Sequence, residues 1–371
     1  MKPSRELKAL LPSVRALVVL LVAGAPETLA TGAQELDPRV EAGIKELSHD
    51  RRDCGLEIFH QVLKEKPDDA SSILAMTRYL MYIRQEYAAA EPFARRTVEI
   101  LPDLVNSYLL LGGVLIFTGR APQAIALYQT PLEDYPDHPR LLFAAGMANA
   151  LSRHHTTASE LYEKALVLQP QDPLFHFCAG ENYVKLQDLE RAELHFRRSI
   201  QFDQRNVQAM WQLARLLSWL GKDKQAENFY VRALENAHSQ YDQVEAGNSF
   251  ALFLIERRRL EEAEATLKRL VEVAPDHAMS WNLLAQCYEL MDDRPRRIFA
   301  RKRFQELQDK DNADETSYLL DLLRQSQREK TSEEDVKQSP VETDESIEER
   351  PSPLGAPGLT PEESDNGGGV P

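Results

Sequence analysis

Two adjacent histidines, His154 and His155, stand between helix-like runs in "LLFAAGMANALSRHHTTASELYEKALVLQP", with Glu160 close behind. Imidazole nitrogens and a carboxylate are the groups that hold a metal ion or relay a proton. A second set, His176, Cys178 and Glu181, lies in "FHFCAGE". On a helix, residues two apart point to different faces, so His176 and Cys178 do not converge on one ion. Nor does the chain contain HExxH, GxSxG or a glycine-rich phosphate or dinucleotide loop. Neither set is a site unless the elements around it bring a third group, so the elements decide.

They repeat. Pro67, Pro102, Pro136 and Pro170 are 35, 34 and 34 residues apart, and Pro275 regains the register if three residues are inserted at Tyr241 to Gln243. Ala90, Ala124, Ala158, Ala192 and Ala226 keep the 34-residue step, as do Tyr128, Tyr162, Phe196 and Tyr230. Gly112, Gly146 and Gly180 do the same, followed by Ala214, Ala251 and Ala285. A period of this length marks a stack of supersecondary units, none able to bury its apolar face alone. Small residues where two helices cross let the backbones approach, an aromatic fills the adjoining gap, and proline ends the second helix.

In these positions the chain resembles the tetratricopeptide repeat family, whose 34-residue unit has Leu-Gly at positions 7 and 8, Ala at 20, an aromatic at 24, Ala at 27 and Pro at 32. Residues 139–172 match with Leu142, Ala145, Gly146, Ala158, Tyr162, Ala165 and Pro170, and depart at Asn149. The last unit keeps Trp281, Leu284, Ala285 and Tyr288 but has Arg297 where alanine is expected. The resemblance implies an all-α fold, a right-handed superhelical α-solenoid of about eight helix-turn-helix repeats. The units run 36–69, 71–104, 105–138, 139–172, 173–206, 207–240, 244–277 and 278–311. Residues 312–330 read as a capping helix with Tyr318, Leu319, Leu322 and Leu323 on one face. Residues 331–371, with eleven Asp or Glu against Lys337 and Arg350, read as a disordered acidic tail rich in Pro and Gly.

Within the family, positions 2, 5, 9 and 12 of each first helix face the concave groove. Position 5 gives Leu109, Phe143, Phe177 and Trp211; position 9 gives Tyr79, Met147, Glu181 and Arg215; position 12 begins with Tyr82. These residues are the expected partner contacts, mostly apolar and becoming charged toward the sixth unit, suited to an amphipathic helix or an extended apolar peptide. Position 5 is equally often aromatic for packing alone. The groups of the family's carboxylate clamp are not found on adjacent units, and its asparagine ladder is missing.

The expected function is a non-catalytic interaction scaffold for an unidentified protein or peptide, with no cofactor and no metal. An alternative is an accessory subunit that recruits an enzyme of cell-envelope polymer synthesis or assembly. A net charge of −15 argues against nucleic acid. The cluster Arg294, Arg296, Arg297, Arg301, Lys302 and Arg303 reads either as a solvated basic end or as a dock for an acidic partner. Lys2, Arg5 and Lys8 precede the apolar "ALVVLLVAGA", too short to span a bilayer, where about twenty residues are needed. Residues 1–33 therefore read as a signal peptide for periplasmic or secreted protein, contacting a membrane only in transit, with a cytoplasmic protein as the alternative. Cys54, Cys178 and Cys287 are odd in number and widely spaced, which suits buried apolar positions better than metal or redox work.

Overall fold

The computed structural model describes residues 38–48, 52–310 and 312–313. The signal-peptide reading, most of the capping-helix reading and the acidic-tail reading fall outside them. The described residues up to Gln308 form one compact unit.

Among the described residues there is no strand, and the helices come in consecutive pairs. The pairs are α1 Pro38–Ser48 with α2 Arg52–Glu65; α3 from Ala70, ending in a π-helical turn Tyr79–Arg84, with α4 Tyr87–Ile100; and α5 Val105–Phe117 with α6 Ala121–Asp134. Then follow α7 Pro139–Leu151 with α8 His155–Leu168, α9 Pro173–Lys185 with α10 Leu189–Phe202, and α11 Val207–Trp219 with α12 Asp223–Asn236. The last are α13 Gln240–Glu256 with α14 Leu260–Val273, and α15 Ala278–Leu290 with α16 at 294–310. Within each pair the helices pack on each other, and each second helix packs on the first helix of the next pair, which is the α-solenoid expected from the period.

Several first helices start where the sequence supplies a cap. The Asp172 carboxylate accepts from the amides of Leu174 and Phe175 at 2.9 and 3.1 Å, and Pro173 occupies the first turn, where no amide donor is needed. Asp69 and Asn206 cap α3 and α11 in the same way. The turn inside each pair from the second onward is equally regular. Gln85, Gly119, Arg153, Gln187, Gly221, Arg258 and Asp292 all adopt positive φ, between 55° and 77°, one per turn. In six of the seven the next residue's amide then reaches back to a carbonyl five residues earlier, as in Asp188 N to Tyr183 O at 3.0 Å and Lys222 N to Leu217 O at 2.9 Å; after the π-helical turn Glu86 N reaches Leu80 O, six residues back, at 2.9 Å. This closes the end of the first helix with a left-handed residue and a long backbone hydrogen bond. Five of the seven positions are not glycine, so backbone strain is accepted to keep the turn.

The helix crossings are tight. A Cβ built on Gly146 would lie 2.8 Å from the Tyr162 ring, and one on Gly180 2.8 Å from Phe196; Gly112 meets Tyr128 still more closely. Those aromatics, with Tyr230 against Ala214 in register, are at most 2% exposed. The three inserted residues produce no loop. Tyr241 to Gln243 lie in the first turn of α13, which is 17 residues long against 13 in α11 and α15, and Ser239 caps it through Asp242 N at 3.0 Å.

Outer turns are clasped from pair to pair. Arg120 pairs with Glu91, Lys222 Nζ with Glu193 at 2.8 Å, and Arg259 with Glu227 at 2.8 Å. Each joins the residue after the left-handed turn residue to a glutamate near the start of the preceding second helix. The fourth-to-fifth junction lacks this clasp. There His155 Nδ1 meets Asn182 Oδ1 at 2.9 Å while Asn182 Nδ2 donates to the His155 carbonyl at 2.8 Å. His154 is the residue before α8 and His155 its first member. The histidines mark a turn and fasten it to the next pair.

Candidate functional site

Position 8 of each first helix faces the second helix, so positions 5, 9 and 12, rotated from it by roughly 40–100°, flank that contact. The structure sorts the nine expected partner contacts by how far they are covered. Leu109, Phe143 and Phe177 are 2%, 0% and 1% exposed and belong to the core. Phe143 stacks on Phe175 of the next pair with ring centroids 4.4 Å apart, and Phe177 packs on Phe196 at 6.1 Å. These three side chains, expected as partner contacts, are covered within the array. Neighbouring aromatics already cover both rings, and burying an aromatic between pairs stabilises the stack more than leaving it in water. Met147 and Tyr79 are likewise sealed, the latter at the start of the π-helical turn. Tyr82, on the same turn, is partly covered, and burial pushes its hydroxyl up out of the physiological range. Neither tyrosine hydroxyl has a hydrogen-bond partner.

The accessible polar candidates gather on α9, α11 and α13. Gln212 Nε2 donates to the Glu181 carboxylate at 3.0 Å. Burial pushes the Glu181 carboxyl up to about 7, against the opposing pull of Arg215, Lys185 and that hydrogen bond. Arg215 is pushed down by burial, with Glu181 and Glu245 among the groups that offset it. Its guanidinium carbon lies 5.4 Å from the Trp211 ring centroid and 5.2 Å from that of Trp219. Trp211 is 6% exposed, but Trp219 is 57% exposed. The Trp211 indole nitrogen and the Arg215 Nε are buried without hydrogen-bond partners.

Trp219 is the residue that reading by position missed. It lies one place beyond position 12, the last one counted toward the groove. Its signal was a tryptophan four residues after an arginine that itself follows Trp211 by four, an i, i+4, i+8 series along one helix. The three residues set a cation between two indoles and leave the outer ring to solvent. Such a surface offers a flat apolar platform whose orientation is fixed by a charge beneath it.

The other expectations about charged and metal-ligating residues resolve simply. Among the described residues no group of three His, Cys, Asp or Glu is placed to hold a metal ion. His176 meets His195, not Cys178. Cys178 and Cys287 are buried free thiols, pushed up by burial. The basic helix is largely paired with carboxylates of its own and neighbouring elements: Arg296 with Glu264 and Asp293, Arg297 and Arg301 with Glu289, and Arg303 with Glu306. No helix among the described residues is long and apolar enough to cross a membrane.

Comparison with known proteins agrees with this architecture. A family model described as the tetratricopeptide repeat matches residues 109–173 and 250–291. The fold is similar to the Cut9–Hcn1 hetero-tetramer of the APC/C, with TM-score 0.52 and 13% identity over 82% of this chain and 61% of that one. It is similar to a tetratricopeptide repeat protein from Parabacteroides merdae, with TM-score 0.50 and 16% identity over 64% of this chain and 93% of that one. PilW, a type IV pilus biogenesis factor, follows at TM-score 0.49 and 16% identity, covering 54% and 92%. At such identities the likeness is one of fold. No curated protein sequence matches the chain.

Proposed function

We propose that this chain, which carries tetratricopeptide repeats, is a protein-interaction scaffold that holds an apolar segment of its partner against Trp219 and the Arg215–Glu181 cluster. The observation that carries the reading is the exposure of Trp219 at 57% on an otherwise covered series of first-helix aromatics. An aromatic this open, stacked over a fixed guanidinium, suits the anchor of an interface, where tryptophan and arginine are enriched. The repeats lend themselves to binding, and a fold of this kind takes its function from the surface it presents. Export is part of the proposal: the charged start and short apolar run of residues 1–33 support it, and N-terminal sequencing of the mature protein tests it by looking for loss of Met1.

The binding reading is tested by affinity capture with three proteins: the unaltered chain, Trp219→Ala, and Val167→Ala, whose residue is 80% exposed on a second helix. A partner retained by the first and third but lost by Trp219→Ala, at unchanged melting temperature, supports the platform. Equal capture by all three removes it.

A further inference from the structure

Between the fourth and fifth helix pairs runs a line of polar groups whose two imidazole rings are closed off from water. His176 Nε2 lies 3.0 Å from the Pro170 carbonyl oxygen, His176 Nδ1 lies 3.0 Å from His195 Nδ1, and His195 Nε2 lies 3.2 Å from Glu163 Oε1. Tyr183 donates to the same carboxylate oxygen at 2.8 Å, and Arg191 reaches the Tyr183 hydroxyl at 3.4 Å. The two histidines are 2% and 6% exposed, with Phe202 stacked on His176 and Tyr183 on His195.

The protons in this line can be counted. A carbonyl oxygen and a carboxylate only accept, so each end of the line requires an N–H from a ring. The middle contact, nitrogen to nitrogen, requires one N–H and one lone pair. Three contacts therefore need three ring protons, whereas two neutral imidazoles carry two. We propose that His176 and His195 bind one additional proton between them, and that this shared proton latches the fifth helix pair to Glu163 of the fourth.

Without the proton, one contact sets two lone pairs face to face and opens. The Glu163 end is the one free to give. Its side chain is 46% exposed, so the carboxylate turns to water and keeps its bond from Tyr183. The Pro170 carbonyl is fixed in the backbone and both rings are packed. The junction also lacks the Arg or Lys clasp found between other pairs, so this line is a main polar tie at that point.

The charged and titratable groups that face the pair are Glu163 from α8, Asp172 at the start of α9, Tyr183 from α9, and Arg191 and Arg198 from α10. Burial lowers the affinity of both rings for protons and Arg198 adds to it, while Glu163 pulls the other way. Burial is the larger effect. The extra proton accordingly binds below the ordinary imidazole range, and the latch closes as the medium turns from neutral to acidic. Because unfolded histidines take up protons sooner, this pair lowers stability as pH falls through that range, even as it fixes the junction.

The test is a titration of the full-length protein from pH 8 to 5, followed by two-bond nitrogen–proton correlations of the imidazoles. The expected result is that His176 and His195 titrate together with a shared midpoint and take up one proton in total. In Glu163→Gln, which alters a half-exposed side chain and keeps the fold, the midpoint falls by about one pH unit, the lower end of what a nearby opposite charge contributes. Two independent midpoints, uptake of two protons, or a midpoint unmoved in Glu163→Gln would overturn the proposal.

Discussion

Phe143 and Phe175 lie face to face, centroids 4.4 Å apart and ring planes 14° apart, although they belong to first helices of successive pairs. Phe143 also meets Tyr162 of its own second helix at 5.4 Å. One side chain thus ties three helices, and it is wholly buried. Phe143→Ala should lower unfolding free energy by about 3–5 kcal/mol, the usual range for a deleted core phenylalanine. Urea denaturation measures it; a loss below about 1 kcal/mol would return Phe143 to the surface.

The opposite outcome is expected at Trp219. With its ring more than half exposed, Trp219→Ala should change stability by no more than about 1 kcal/mol. Comparing melting curves of the two alanine variants separates the packed aromatic from the open one.

Glu181 gives a pH-dependent prediction. Its folded carboxyl titrates near 7, above the ordinary glutamate value of 4.5, so folding takes up a proton between those limits. The stability tied to that proton is fully present below 4.5 and is lost as pH rises through 7. Glu181→Gln should therefore stabilise the protein little at pH 5 and by about 3 kcal/mol at pH 8, because each tenfold change in proton affinity corresponds to about 1.4 kcal/mol. A gain that is the same at both pH values would show that Glu181 is not carrying this burden.

The left-handed turn residues predict a stabilising change. Gln187 sits at φ 60°, where a side chain costs about 1–2 kcal/mol and glycine nothing. Glycine also loses more backbone freedom on folding, so Gln187→Gly should gain about 0.5–1 kcal/mol overall. A destabilised variant in thermal melts would mean that the Gln187 side chain holds the turn.

The fold was legible because packing between repeated helices permits few substitutes. Glycine and alanine at the crossing and an aromatic opposite recur every 34 residues, since each has a steric reason to recur. The site was less so. Position 5 carries an aromatic whether a ring packs inward or waits for a ligand, and the exposed ring, Trp219, lies at none of the positions counted toward the groove. The histidine line was hidden for another reason: Glu163, His176 and His195 come from three helices, and no spacing in the chain announces that they meet. His176 suggested Cys178, its neighbour in sequence, when its partner lay nineteen residues on.

The left-handed turns also govern how such a chain can change length. A corner made by one residue and closed by a bond five residues back has little slack, and the second pair, closed six residues back, needs a π-helical turn to do so. Growth must go elsewhere, and in α13 it has gone into added helix ahead of the repeat. Insertions of a few residues should therefore be tolerated at the outset of first helices and refused at the corners. The array behaves like a set of rigid brackets on a shaft of adjustable length, and this is where a designer should splice it.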